Sequence, residues 1–367
     1  MNHILFRCDA SLSIGSGHVM RCRTLARELR RRGAEISFIC RQQPGDLIEL
    51  LRQEFQVLAL PPLAAVASSS PLEGRALYAA WLGCSQQQDA VDCLAALKQA
   101  GSSSAQWLVV DHYGLDASWE GATREGLGSE PLPQLLVIDD LADRPHSCEL
   151  LLDQNFFGAA TQQRYRGLVP PQCHQLLGPQ YALLGPEYAL LHPLVPPRTE
   201  LRRVLVFFGG ADLANLTGRA LEALMDPALA HLAVDVVLGL QCLHREAVET
   251  LVAKRPYATL HGPQSSLAAL IARADLAIGA GGSTTWEKSC LRLPSVVVSV
   301  AENQHPCAKA MHVSNQLIWL GNTQEFTVEK LKSVIISVHR QQLPHEIMRS
   351  MTDGLGYVRV CDLLLCE

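Results

Sequence analysis

At 367 residues the chain exceeds one average domain and fits two of roughly 100–200 residues each. Hydrophobic residues make up 48% and charged residues 18%, which excludes a disordered, fibrous or collagen-like chain and leaves material for packed cores. A net charge of −5 argues against a protein that relies on phosphate-backbone contacts, so no nucleic-acid partner is expected.

The chain opens on an apolar strand at residues 4–8, where Arg7 and then Asp9 interrupt it before any secretory core forms. No run of about 18 apolar residues occurs, so no membrane span is expected. The 12 cysteines are scattered without a Cys-x-x-Cys pair, and the 13 histidines form no metal-ligand spacing. These features predict reduced thiols, no metal and a cytoplasmic location.

Further strands are predicted at 35–40, 56–60, 107–111 and 135–139, with helices at 18–32 and 76–99. The helix at 18–32 carries Arg21, Arg23, Arg27, Arg30, Arg31 and Arg32, read as a solvated face whose cations suit the helix dipole. Residues 61–71, with two adjacent prolines and a serine run, read as a loop. The proline-rich stretch at 191–200 breaks the pattern and reads as an interdomain linker. Strands then resume at 203–208, 233–238, 258–261, 276–279, 295–300 and 316–320, and the tail from 327 to 366 looks helical. Strands alternating with helices imply parallel sheets, whose ligands bind outside the carboxyl ends of the strands.

Five such ends carry candidate chemistry. After the first strand, Gly15 and Gly17 permit close backbone approach, and the helix starting near His18 points free amides at an anion. An imidazole at a helix start tends to stay neutral, as a general base must; a capping or packing histidine is the plainer alternative. Met20 occupies the third glycine position of a dinucleotide fingerprint, and no P-loop lysine follows. After the fourth strand come Asp111, His112 and Tyr113, equally readable as ligand contacts or as turn residues. In the second half, Gly209 and Gly210 with Asp212, and Gly281, Gly282, Ser283 and Thr284, offer donors to a diphosphate. Glu287, about one helical turn further on, is placed to accept from ribose hydroxyls; tight strand–helix turns are the alternative. Asn303 follows another apolar strand and can orient a water or a sugar amide, or simply cap a helix.

Together, ILFRCDASLSIGSGHVMR, VVDHYG, FFGGAD, GAGGSTTWE and ENQ resemble the UDP-sugar hydrolases of pseudaminic acid biosynthesis, as do IDDLADRPHSCELLLDQN and LLGPQYALL. The resemblance runs in order from about Ile4 to Asn303. It implies the α/β GT-B-like architecture of MurG-type glycosyltransferases, with two Rossmann-like domains and a cleft between them. The expected divisions are 1–192 with the sugar and catalytic-base site, 199–342 with the UDP site, and a helical tail at 343–367. The implied reaction is hydrolysis of UDP-2,4-diacetamido-2,4,6-trideoxy-β-L-altropyranose to free sugar and UDP, by water attack at the anomeric carbon with inversion.

By the same resemblance His18 is the base, while Tyr113 and Asn303 act beside the sugar. Gly15, Gly17, Arg21, Gly209, Gly210, Gly281, Gly282, Ser283, Thr284 and Glu287 contact substrate. No cofactor is implied, and a monomer acting on a small-molecule UDP-sugar is expected. Two further readings use the same residues: a GT-B glycosyltransferase with a UDP-sugar donor, and a non-catalytic sugar-nucleotide-binding protein. The chain departs from compact members of the family in an extended stretch at 61–80, which bears on the sugar pocket, and in its tail.

Overall fold

The structure, a computed structural model, describes residues 2–63, 73–101, 104–128, 130–340 and 350–366. Positions 64–71 of the expected loop and 343–349 of the expected tail lie outside the described residues. The chain forms two compact units: Met1–Asn155, Ala160–Leu183 and Tyr357–Glu367 in the first, Phe156–Ala159 and Leu184–Gly356 in the second.

The first unit is built on β1 (His3–Cys8), β2 (Glu35–Arg41), β3 (Gln56–Leu60), β4 (Trp107–Asp111), β5 (Gln134–Ile138), β6 (Leu150–Asp153) and β7 (His174–Leu177). They pair in the order β3-β2-β1-β4-β5-β6-β7, every pair parallel. Strands covered by helices on both faces need continuous apolar runs, and WLVVD in β4 is buried throughout. Strands β6 and β7, four residues each, were not foreseen.

On one face lies the helix Gly17–Arg31, which buries Val19, Cys22, Leu25, Ala26 and Leu29 as a helical stripe. The late helix Gly356–Leu365 completes the same core through Tyr357, Val360, Cys361 and Leu364. Burial of Val360 and Leu364 contributes about 1.5–3 kcal/mol each. The expected helix at 76–99 is two helices, Gly74–Leu82 and Gln86–Gln99. Gly83 ends the first in a left-handed conformation at φ 75°, and the Ser85 hydroxyl caps the second by accepting from the Gln88 amide.

The second unit contains β8 (Arg203–Phe207), β9 (Ala233–Val237), β10 (Ala258–His261), β11 (Leu276–Ala280), β12 (Ser295–Ser299) and β13 (Ile318–Asn322), ordered β10-β9-β8-β11-β12-β13. The segment expected as a linker belongs to this unit. Its Arg198 donates to the carbonyls of Ile271, Ala274, Leu291 and Arg292 at 2.6–2.9 Å, and the change of unit falls earlier, at Leu183–Leu184. All described cysteines are free, and most are buried. Among the described residues no helix is long and apolar enough to cross a membrane.

Each sheet thus repeats one order, in which the path reverses beside its first strand. Loops on either side of that reversal diverge and leave a crevice at the strands' carboxyl ends. In the first unit the crevice lies after β1 and β4, in the second after β8 and β11.

Candidate functional site

Residues from both sides of the first reversal meet at His18. The loop after β1 braces itself: the Gly15 amide donates to the Ser11 carbonyl at 2.8 Å, and the Ser11 hydroxyl accepts from the Ile14 amide at 3.1 Å. Gly15 adopts φ 82°, a left-handed conformation that favours glycine. Gly17 opens the helix, whose N-cap Ser16 makes no side-chain cap, so its first amides remain available. One residue on, the His18 Nδ1 lies 2.6 Å from Asp111 Oδ1 at the end of β4. A carboxylate only accepts, so Nδ1 carries a proton, and in the neutral tautomer the lone pair is on Nε2. Nε2 has no hydrogen-bond partner among the described residues.

Asp111 is fully buried and stays charged for a definite reason. Burial alone would raise its carboxyl, but Arg21 and then His18 hold it well below the ordinary carboxylate range. Arg21 grips it bidentately at 2.7 Å through Nε and Nη2, and reaches Asp140 at 2.9 Å with Nη1. Asp140 also accepts from the Tyr113 hydroxyl and, at 2.6 Å, from Asn155 Nδ2. Burial, and then the Asp140 charge, raises the Tyr113 phenol well above its usual value, so it remains a donor. His18, Asp111, Arg21, Asp140 and Tyr113 therefore form one hydrogen-bonded unit. Arg21 sits inside it, engaged by two carboxylates, and not on the solvated face read from the sequence; Arg27 and Arg31 are exposed and pair with Glu54 and Glu28.

An aromatic group packs beside the imidazole. The Tyr113 ring meets His18 edge-on at 4.5 Å and 84°, and Trp81 stacks on Tyr113 at 5.6 Å and 22°. Tyr78 closes the group, 5.0 Å from Trp81 and 5.2 Å from Tyr113. His112, between Asp111 and Tyr113, turns away from this group. Its Nδ1 accepts from the Gly114 amide at 3.0 Å, its Nε2 lies 3.4 Å from Asp9, and burial pushes the imidazole down to about 4.

The second unit uses backbone where the first uses side chains. After β8, Gly209 turns at φ 94°, and a Cβ on Gly239 would sit 2.2 Å from the Gly210 carbonyl oxygen. Gly210 and Gly239 thus allow two loops to approach closely. Asp212 is engaged structurally, accepting from the amides of Leu216 and Thr217 at 2.8 and 2.9 Å. After β11, a Cβ on Gly281 would lie 3.3 Å from Val297 and 3.4 Å from Gln304 Oε1. Gln304 is itself fixed by the Val300 amide at 3.0 Å. Ser283 is exposed and makes no side-chain cap on the helix Thr284–Cys290 that follows.

Glu287 and Lys288 sit inside that helix. Burial raises the Glu287 carboxyl to about 7, against the neighbouring Tyr188 hydroxyl, which pulls it down. A carboxyl oxygen is an acceptor for a ligand hydroxyl. Burial lowers Lys288 to about 8, with Nζ 3.3 Å from the Ala280 carbonyl. Asn303 is half-buried in the short turn Glu302–Gln304, in the second unit, whereas His18 and Tyr113 belong to the first.

Sequence reading missed Asp140, Tyr78 and Trp81. The paired aspartates ending the apolar run at 135–138 signalled Asp140, and two aromatics three apart signalled one helix face at 78 and 81.

No protein-family model matches the chain. It is 23% identical to the spore coat polysaccharide biosynthesis protein SpsG of Bacillus subtilis, over 99% of this chain and 97% of that one. It is 27% identical to the UDP-2,4-diacetamido-2,4,6-trideoxy-β-L-altropyranose hydrolase of Campylobacter jejuni, over 58% of this chain and 62% of the hydrolase. Among solved structures it resembles Acinetobacter baumannii MurG with a TM-score of 0.61 at 14% identity, covering 99% of both chains. It also resembles Arabidopsis thaliana UGT89C1 complexed with UDP, with a TM-score of 0.65 at 11% identity and full coverage of both. With its two parallel sheets of Rossmann order, the chain has an α/β GT-B-like fold.

Proposed function

We propose that this protein is an enzyme acting on UDP-sugars, and that it hydrolyses a UDP-linked 2,4-diacetamido-2,4,6-trideoxy sugar to free sugar and UDP. The observation that carries this reading is the His18–Asp111 hydrogen bond of 2.6 Å, which leaves Nε2 as an open proton acceptor. That is the arrangement a general base needs: one ring nitrogen oriented by a carboxylate, the other facing the reaction.

In this reading His18 Nε2 takes a proton from water as the water oxygen bonds to the anomeric carbon. The bond from that carbon to the diphosphate oxygen breaks with inversion, and its electron pair leaves on UDP. Asp111 stabilises the imidazolium until the proton passes to solvent. The amides at the start of the helix opened by Gly17, and those of Gly209, Gly210, Gly281, Gly282, Ser283 and Thr284, serve to meet the diphosphate charge, while Gly15 shapes the loop with its own amide held by Ser11. Glu287 accepts from the ribose, and Asn303 and Tyr113 assist at the sugar. The Campylobacter hydrolase supports this choice of sugar. The test is turnover of the UDP-linked sugar in ¹⁸O-water: label in the free sugar is expected, and label in UDP would mean attack at phosphorus and end the proposal.

A second reading is transfer of the sugar to an acceptor other than water. The end-to-end match to SpsG and the likeness to UGT89C1 favour it. Free sugar released without any added acceptor decides for hydrolysis; sugar found only on an acceptor decides for transfer.

A further inference from the structure

The aromatic group beside His18 divides into buried and exposed members. Tyr78 is 6% exposed, Tyr113 4% and His18 7%, whereas Trp81 is only half-buried. The Trp81 ring centroid lies 6.4 Å from that of His18 at 74°, so a group approaching the imidazole on this side meets the indole. The indole is also held in place. Its ring stacks on Tyr113 and Tyr78 abuts it, while the main-chain carbonyl of Trp81 accepts from Gln43 Nε2 at 3.1 Å. The helix carrying it stops two residues later at Gly83, where a Cβ would lie 3.2 Å from Leu63.

The rings packed beside the imidazole are mostly hydrocarbon. The Tyr113 hydroxyl is engaged by Asp140, which leaves the ring's hydrocarbon body toward Trp81 and His18. A sugar hydroxyl pressed against such a wall loses water without gaining a partner, whereas a methyl group loses nothing and buries apolar area. An indole adds a broad face with little conformational freedom to lose.

We propose that Trp81 is a specificity-determining residue that selects UDP-linked sugars bearing methyl groups, whether acetamido or deoxy, over fully hydroxylated hexoses. The assignment rests on the sugar-nucleotide reading above and adds to it the residue that selects the sugar. An apolar wall that gains or loses a methyl contact discriminates by about 10–100-fold.

The experiment is titration calorimetry in a His18→Gln background that stops turnover. UDP, UDP-glucose and the UDP-linked 2,4-diacetamido-2,4,6-trideoxy sugar are compared with Trp81 intact, with Trp81→Leu and with Trp81→Phe. With Trp81 intact the diacetamido sugar is expected to bind at least about tenfold tighter than UDP-glucose. Trp81→Leu brings that ratio toward one while leaving UDP affinity unchanged, and Trp81→Phe restores most of it. Trp81→Phe keeps the test open if the leucine variant fails to fold. A ratio that survives Trp81→Leu, or one absent from the start, overturns the assignment while the UDP reading stands. Failure to bind UDP at all overturns both.

Discussion

The two units share a strand order and differ in what they put at its reversal point. In the first, three side chains from two segments, His18 and Arg21 on one helix and Asp111 at a strand end, interlock at 2.6–2.7 Å, and the neighbouring Asp140 extends the chain of bonds. In the second, glycines bring two loops close together, and Glu287 lies half-buried in the helix that follows one of them. One crevice is organised to hold a proton acceptor in a fixed orientation; the other presents dipoles and a latent acceptor. In the proposed reading the same scaffold supports reactive chemistry where it is lined by paired charges, and recognition where it is lined by main chain.

His18→Ala tests that division most severely. It is expected to lower kcat by about 100–10,000-fold while leaving UDP affinity nearly unchanged, as kinetics and calorimetry would show. A comparable loss of UDP binding would erase the distinction between the units. Asp111→Asn comes next, because it leaves Arg21 buried with half its compensation. Removing one partner of a buried pair costs about 3–5 kcal/mol, so the variant should melt well below the parent and lose activity as well. An unchanged melting curve would show that the paired charges are not structural.

The smallest effect concerns pH, and its sign differs between the Asp111 group and Glu287. In the first unit Asp111, Asp89 and Asp139 are desolvated, yet Arg21, Arg7 and Arg144 respectively hold their carboxyls below the ordinary range. Depressed carboxyls contribute stability that is present above their unfolded value and lost as pH falls below about 4. Burial raises Glu287 to about 7 instead, so the folded state holds its proton where the unfolded chain has released it. Its contribution therefore declines as pH rises from about 4 to about 7 and stays reduced above that. Glu287→Gln should raise the melting temperature relative to the parent more at pH 8 than at pH 5, and should weaken UDP binding. Equal shifts at both pH values would mean that Glu287 is not held protonated by its surroundings.

Most strands were legible because they are apolar runs of five residues or more, bounded by turn formers. Strands β6 and β7 were not: both are short, and no α-helix lies between β5 and β6 or between β6 and β7 to give the alternation that marks the other strands. The site was half legible for a related reason. Gly15, Gly17 and His18 form a local motif, but the Asp111 that orients the imidazole is 93 positions away, and only the β1–β4 pairing brings it near. Trp81 was hidden differently. Its helix was merged with the next, since the break at Gly83 depends on a left-handed conformation that composition alone does not reveal.

The helix Gly356–Leu365 ties the first unit to the end of the chain. On the ribosome, residues 184–356 must be made before Tyr357, Val360, Cys361 and Leu364 emerge to cover their place in the first core. At about 5–20 residues per second the delay is on the order of ten seconds. For that interval the nascent chain carries an open apolar face beside the Gly17–Arg31 helix, the kind of surface that a holding chaperone binds, so the unit translated first is the one completed last.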